Sequence, residues 1–308
     1  ELLHERRVLH GHGALDHVDQ PRVGADQDAG RLGRHAVRDH LARFLRRGAR
    51  EGVLEVIRRV IRRLEALGGA PEAAAATRPA MLFLHGGGFV LCDLDSHDNI
   101  CRALCNAAGA LVVSVAYRLA PEHPFPAALE DAYRAFQWLA SQAVELDVDA
   151  NNIAVAGDSA GGNLAVATSL LCRDRGGPQP AQQCLLYPAI DAACDSDSMH
   201  EFAEGYLLSR EQMRWFWAQY LPASQRQSPY AQPLRAELAG LPPTTLITAG
   251  CDPLRDEGQA FAEALARAGN TVAYHCEAGQ IHGFCSYLQG LPAARRVVEQ
   301  VAASLGKA

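Results

Sequence analysis

Ile153-Ala154-Val155-Ala156-Gly157-Asp158-Ser159-Ala160-Gly161-Gly162 is the stretch on which the fold of this chain turns. A short apolar run of strand character enters a Gly-x-Ser-x-Gly turn, and a helix-like segment, Leu164 to Leu171, leaves it. Glycine two places on either side of Ser159 removes side chains that would collide where a strand folds back tightly into a helix. Such a turn pushes the Ser159 hydroxyl away from the backbone, as a nucleophile elbow does. Alone, the pattern also fits an ordinary strand-to-helix connection, so its meaning depends on the surrounding sequence.

Upstream, Ala80-Met81-Leu82-Phe83-Leu84 reads as a buried strand that runs into His85-Gly86-Gly87-Gly88-Phe89. Three glycines in a row leave backbone amides unobstructed and able to face an anion. Acyl transfer through a serine places negative charge on the former carbonyl oxygen, and the amides of Gly86, Gly87 and Ala160 are the candidate oxyanion-hole donors. A P-loop is excluded because no Lys-Ser/Thr pair follows the glycines. His85 reads as a brace for its own loop.

A serine nucleophile needs a base, and the base needs a group that fixes its tautomer. Thr244 to Ala249 is a strand-like run ending in Gly250-Cys251-Asp252-Pro253, which puts Asp252 at the carboxyl end of a strand. Asp252 is the candidate acid and Asp191 the alternative; Asp256 and Glu257 suit the first turn of the next helix. A further run, Thr271 to Cys276, leads to Gly279-Gln280-Ile281-His282-Gly283-Phe284, so His282 is the candidate base and His275 a strand residue. His85, His97, His123 and His200 show no metal-ligand spacing, and no metal site is expected.

Ser159, Asp252 and His282 occur in the chain order of the α/β-hydrolase triad. Together with His85-Gly86-Gly87-Gly88, Gly157-Asp158-Ser159-Ala160-Gly161-Gly162, Asp252-Pro253-Leu254-Arg255-Asp256-Glu257-Gly258 and His282-Gly283-Phe284, the chain resembles the bacterial esterases of the hormone-sensitive-lipase family. Tyr117 to Glu122 and Pro126 to Asp131 look like that family too. The resemblance runs from about Arg78 to the C-terminus. It implies an α/β-hydrolase fold, a mostly parallel central sheet with helices on both faces and a helical cap over the site. It also implies a cofactor-free serine carboxylesterase that takes a small-molecule ester of short acyl chain through an acyl-enzyme. An amidase on the same triad, or a non-catalytic binding protein on the same scaffold, stays open.

Between the strand near Asp191 and the strand near Thr244, about 192–235 breaks the strand-helix alternation and is read as the cap insertion. Its aromatic residues Phe202, Tyr206, Trp215 and Phe216 are candidate substrate contacts, with packing inside the cap as the other reading. Helices are expected at Leu129 to Leu139, Gly258 to Ala268 and Arg295 to Leu305, and a central strand at Leu111 to Val115.

The chain has 308 residues, 48% of them hydrophobic, and a net charge of −6, which fits a sizeable catalytic domain at 78–308 and points to no nucleic-acid partner. No apolar run is long enough to span a membrane, and the nine cysteines contain no Cys-x-x-Cys pair, which favours a reducing, cytoplasmic setting over a disulfide framework. A homodimer is left open. Residues 1–77 are atypical: the first 70 hold 14 Arg, no Lys and 10 acidic residues, and Val53 to Leu64 reads as an Arg-rich amphipathic helix followed by a linker. A lineage-specific cap, an Arg-rich appendage and a segment shifted from its ancestral reading frame are three competing explanations. Translation of the upstream DNA in the other frames separates the third from the rest.

Overall fold

The computed structural model describes residues 77–305; the expected Arg-rich helix lies outside them. Within that range, six strands pair in parallel in the spatial order β2-β1-β3-β4-β5-β6, with β1 at Arg78–Leu84, β2 at Leu111–Val115, β3 at Val148–Asp158, β4 at Gln182–Leu186, β5 at Thr244–Cys251 and β6 at Val272–Ile281. Parallel strands need crossovers, and these are the helices α1 (Asp98–Ala108), α2 (Ala127–Ser141), α3 (Ala160–Asp174) and α6 (Arg255–Arg267), with α7 (Pro292–Leu305) closing the chain. Between β4 and β5 the crossover carries α4 (Asp197–Glu201), α5 (Arg210–Tyr220) and two single turns of 3₁₀ helix.

Apolar residues on both faces of the strands explain the layering. Along β1, Ala80, Leu82 and Leu84 join the core under α2, α3 and α6, whereas Met81 and Phe83 join the core under α1 and α7. A strand buried on both faces has no polar side to expose, and so reads as a continuous apolar run.

Helix α3 is the tightest element. Every position from Ala160 to Cys172 is buried, as expected for a helix with small or apolar residues all round. A Cβ on Gly161 would stand 1.9 Å from the Leu84 carbonyl oxygen and 2.7 Å from that of His85. No rotamer relieves a clash with backbone, so Gly161→Ala has to push α3 off β1. Destabilisation by about 3 kcal/mol is expected, lowering the thermal midpoint by roughly 6 °C or more. A variant that melts with the wild type would show that this close approach is dispensable.

Candidate active site

The site forms where β1, β3, β5 and β6 end. Ser159 follows β3 directly and has φ 54° and ψ −119°, a left-handed conformation costly for a residue with a side chain. The surroundings hold it there: its amide donates to Leu186 O at 2.8 Å, and its carbonyl accepts from Asn163 and Ala189. Gly157 and Gly161 answer the steric demand of the turn, because a Cβ on Gly157 would lie 2.3 Å from the Gly161 carbonyl oxygen.

Register brings acid and base together. Cys251 on β5 pairs with Ile281 on β6, past an irregularity between Ala249 and Cys251, so Asp252 and His282 leave adjacent strands at the same level. His282 Nδ1 lies 2.7 Å from Asp252 Oδ2 and His282 Nε2 lies 2.9 Å from Ser159 Oγ. The second carboxylate oxygen accepts the Leu254 amide at 2.8 Å. Asp252 is fully buried, and Ser159 and His282 keep 6% and 8% exposure, enough to meet a small ligand. Tyr187 packs edge-on against the imidazole at 4.9 Å. Asp191, the alternative acid, instead accepts the Ala193 amide at 2.9 Å. Asp256 and Glu257 lie in the first turn of α6, where Asp256 accepts the Ser198 amide and Glu257 that of Ile190, both at 2.7 Å. Burial pushes the Glu257 carboxyl well above its ordinary range.

The oxyanion loop requires one correction. The Gly86 amide donates to Asp158 Oδ1 at 2.9 Å and is therefore occupied. The amides of Gly87, Gly88 and Ala160 have no acceptor among the described residues. Ala160 opens α3, where the first amides of a helix lack intrahelical partners. Gly87 and Gly88 have φ 107° and 61°, conformations that suit glycine. The free donors are thus Gly87, Gly88 and Ala160, one residue further along the glycine run than Gly86.

His85 braces its loop as expected. Its Nδ1 donates to the Gly86 carbonyl at 2.7 Å, Tyr117 Oη donates to the His85 carbonyl at 2.6 Å, and the Tyr117 ring stacks on the imidazole at 4.3 Å. Burial drops the His85 pKa to about 4, which leaves the ring neutral.

Residues 81–286 match the model of a family described as having the α/β hydrolase fold. The chain belongs to that family. Among its relatives, carboxylic ester hydrolase LipN of Mycobacterium tuberculosis is 46% identical over 230 residues, which span 71% of this chain and 60% of LipN. Carboxylesterase NlhH of the same species is 40% identical over 243 residues, covering 77% of this chain and 76% of NlhH. EstE1, a thermostable carboxylesterase cloned from a metagenomic library, superposes with a TM-score of 0.74 at 45% identity, over 76% of this chain and 81% of its own. These relatives put the chain in the hormone-sensitive-lipase-like esterase branch of the α/β hydrolases.

In this α/β hydrolase, α5 sits over the glycine loop. Ser209 and Gln212 form a capping box at its start, and Met213, Trp217 and Tyr220 bury one helical face. Phe89, which ends the glycine loop, stacks on Tyr220 with ring centres 3.8 Å apart and lies 5.2 Å from Trp217. Of the four expected substrate contacts, Phe216 lies against the loop: a Cβ on Gly88 would stand 2.3 Å from its ring. Phe202 is buried with the Arg255 guanidinium 5.1 Å above its ring, Tyr206 packs edge-on against Phe202, and Trp215 is 50% exposed. Leu207, which the sequence did not single out, approaches Gly283 beside the base: its Cδ2 is 3.9 Å from where a Cβ there would stand. Among the described residues no cluster of three or more His, Cys, Asp or Glu side chains is arranged to hold a metal, and no helix is long and apolar enough to cross a membrane.

Proposed function

We propose that the chain is a serine carboxylesterase for short-chain esters, with Ser159 as nucleophile, His282 as base and Asp252 as the group that orients the base. The observation that carries this reading is the unbroken path from Ser159 Oγ through His282 to Asp252, with links of 2.9 and 2.7 Å. As the hydroxyl attacks the ester carbonyl, His282 Nε2 takes its proton, while Asp252 holds Nδ1–H and stabilises the imidazolium. The oxygen that becomes negative turns toward the Gly87, Gly88 and Ala160 amides, each such donor typically contributing about 10²–10³ in rate. His282 then protonates the departing alcohol. Water, activated by the same imidazole, releases the acid and restores Ser159.

Phe216, against Gly88 of the glycine loop, and Leu207, beside Gly283 next to the base, are the apolar side chains this reading assigns to the substrate. A relative named ethyl acetate hydrolase, from Pseudomonas putida, is 40% identical over 208 residues and supports a short acyl chain. All nine cysteines are free thiols, which suits a reducing, cytoplasmic compartment. Aryl esters with acyl chains of two to sixteen carbons test the substrate class. Highest kcat/KM is expected below about eight carbons, because each further methylene contributes at most about 0.8 kcal/mol and only where the pocket continues. Matched aryl amides are expected to react at least about a hundredfold more slowly, since the leaving amine must be protonated in time. Equal rates on esters and amides, or a maximum at sixteen carbons, would overturn the assignment.

A further inference from the structure

Beside the oxyanion loop lies a second histidine–carboxylate contact that the acyl-transfer steps leave unused. His97 Nε2 stands 3.2 Å from Asp158 Oδ1 and 3.3 Å from Oδ2, and both side chains are buried. The protons there can be counted. Ser96 Oγ has a single hydrogen, which it donates to the Asp93 carbonyl at 2.7 Å. Toward its other neighbours it acts as an acceptor, taking the Asp93 amide at 2.9 Å and His97 Nδ1–H at 2.9 Å. So Nδ1 carries a proton. At the far side of the ring an ionised carboxylate has no hydrogen to offer, and Nε2 within 3.3 Å of both its oxygens must hold one as well. The Gly86 amide forks between Asp158 Oδ1 at 2.9 Å and His97 Nε2 at 3.3 Å. Its shorter arm goes to the carboxylate; the longer arm competes with a proton on Nε2, and the two carboxylate oxygens at 3.2 and 3.3 Å favour the proton.

We propose that His97 is a positioning residue held as an imidazolium, whose buried ion pair with Asp158 fixes the Gly86 peptide so that the next two amides face the developing oxyanion. The proposal rests on the ester-hydrolase reading of the site. Its structural basis is that one carboxylate ties together the two segments that must cooperate: Asp158 immediately precedes the nucleophile, and Gly86 immediately precedes the free donors. Packing enforces the contact, because a Cβ on Gly86 would stand 2.5 Å from Asp158 Oδ2.

The other titratable groups around the pair agree with this charge state. Burial works against charge on His97, but the charge and hydrogen bond of Asp158 outweigh it and raise its pKa above the ordinary imidazole value. Burial likewise opposes ionisation of Asp158, yet the charge and hydrogen bond of His97, with the Gly86 amide, hold its pKa below the ordinary carboxyl range. His85, 5.6 Å from His97 between ring centres, stays neutral and does not compete for the charge. Asp93, in the loop before α1, adds a further attraction. Tyr117 faces His85, and burial raises its phenol well above the usual value, so it stays neutral. On α7, which packs against α1, Arg295 is bound to the carbonyls of Leu288 and Gln289, and Arg296 to Glu277. With the His97 pKa raised, the ion pair is complete below the ordinary imidazole value and is lost as pH rises through the raised one. With the Asp158 pKa depressed, it is lost at the acid end only below the ordinary carboxyl range.

Nitrogen-15 NMR of the full chain labelled at histidine tests the charge state, with the His97 signals identified by their loss in His97→Gln. Both His97 ring nitrogens are expected to be protonated at neutral pH, with one transition on the alkaline side; a neutral His97 at pH 7 would overturn the proposal. Kinetics on an aryl butyrate test the role. His97→Ala is expected to lower kcat about ten- to a hundredfold, no more than the lower end of the roughly 10²–10³ for one lost oxyanion donor, because the amides are misaimed and not removed, with KM changed less than about threefold. His97→Gln, which keeps an uncharged donor toward Asp158, is expected to recover part of kcat and to abolish the alkaline fall assigned to His97. Wild-type kcat in His97→Ala, or a loss confined to KM, would refute positioning. A wild-type protein inactive on every ester would count against the ester-hydrolase reading, while NMR would still decide the charge of the pair.

Discussion

Ser159→Ala is expected to lower kcat for an aryl butyrate by about 10⁶, the scale observed when the nucleophile of a serine hydrolase is removed. The loss should appear in kcat and not in KM, because the free amides of Gly87, Gly88 and Ala160 and the side chains of Phe216 and Leu207 are untouched. Stability should change little. Ser159 adopts its strained conformation through backbone bonds to Leu186, Asn163 and Ala189, none of which involves the hydroxyl. Hydrolysis by the variant within tenfold of the wild type would require another nucleophile. Of the neighbouring thiols, Cys285 is held protonated by burial, which pushes its pKa above the usual thiol range.

Asp252→Asn is expected to reduce kcat by about 10⁴, the effect of the corresponding change where the role of this acid has been isolated. The carboxylate fixes His282 by accepting Nδ1–H at 2.7 Å, leaving Nε2 free to take the serine proton. A carboxamide has nearly the same shape but can present an N–H to Nδ1. That favours the tautomer with the proton on Nε2, which cannot act as a base toward Ser159. The wild-type aspartate also receives the Leu254 amide at 2.8 Å, a bond that an asparagine oxygen can retain, so the loop should hold its shape. A loss below about tenfold would mean that His282 is oriented by something else. An equal loss in Asp191→Asn would point to the alternative acid.

How much of this was legible in the sequence differs between the strands and the contacts they create. β2 at Leu111–Val115 spans its expected limits, because five consecutive apolar or small residues can be buried on both faces of a parallel sheet only as a strand. Ser159 and Asp252 were legible because each follows such a strand, and His282 because it sits between glycines at the end of β6, a strand that is largely exposed. α1 was not anticipated: Asp98–Ala108 buries only Ile100, Cys101 and Leu104, and its start has no side-chain cap. The glycine run hid a different ambiguity. Three successive glycines offer equivalent amides, and only the partner of Gly86, an aspartate 72 residues away, shows that the first is occupied. The His97–Asp158 contact crosses 61 residues and leaves no periodic trace in the chain. In α5, residues 213, 217 and 220 follow the helical repeat and turn inward. That spacing separates Trp217 in the core from Trp215 at the surface, a distinction that aromatic density alone obscured.

Ester hydrolysis by this chain requires that Ser159 Oγ be the atom that carries the acyl group. Mass spectrometry of the peptides after titration with a fluorophosphonate tests this directly, with ester hydrolysis followed in the same samples. One adduct is expected, on the peptide containing Ser159, rising in proportion to the activity lost. Full hydrolysis by protein already modified at Ser159, or inactivation with the adduct on a different residue, would contradict the account.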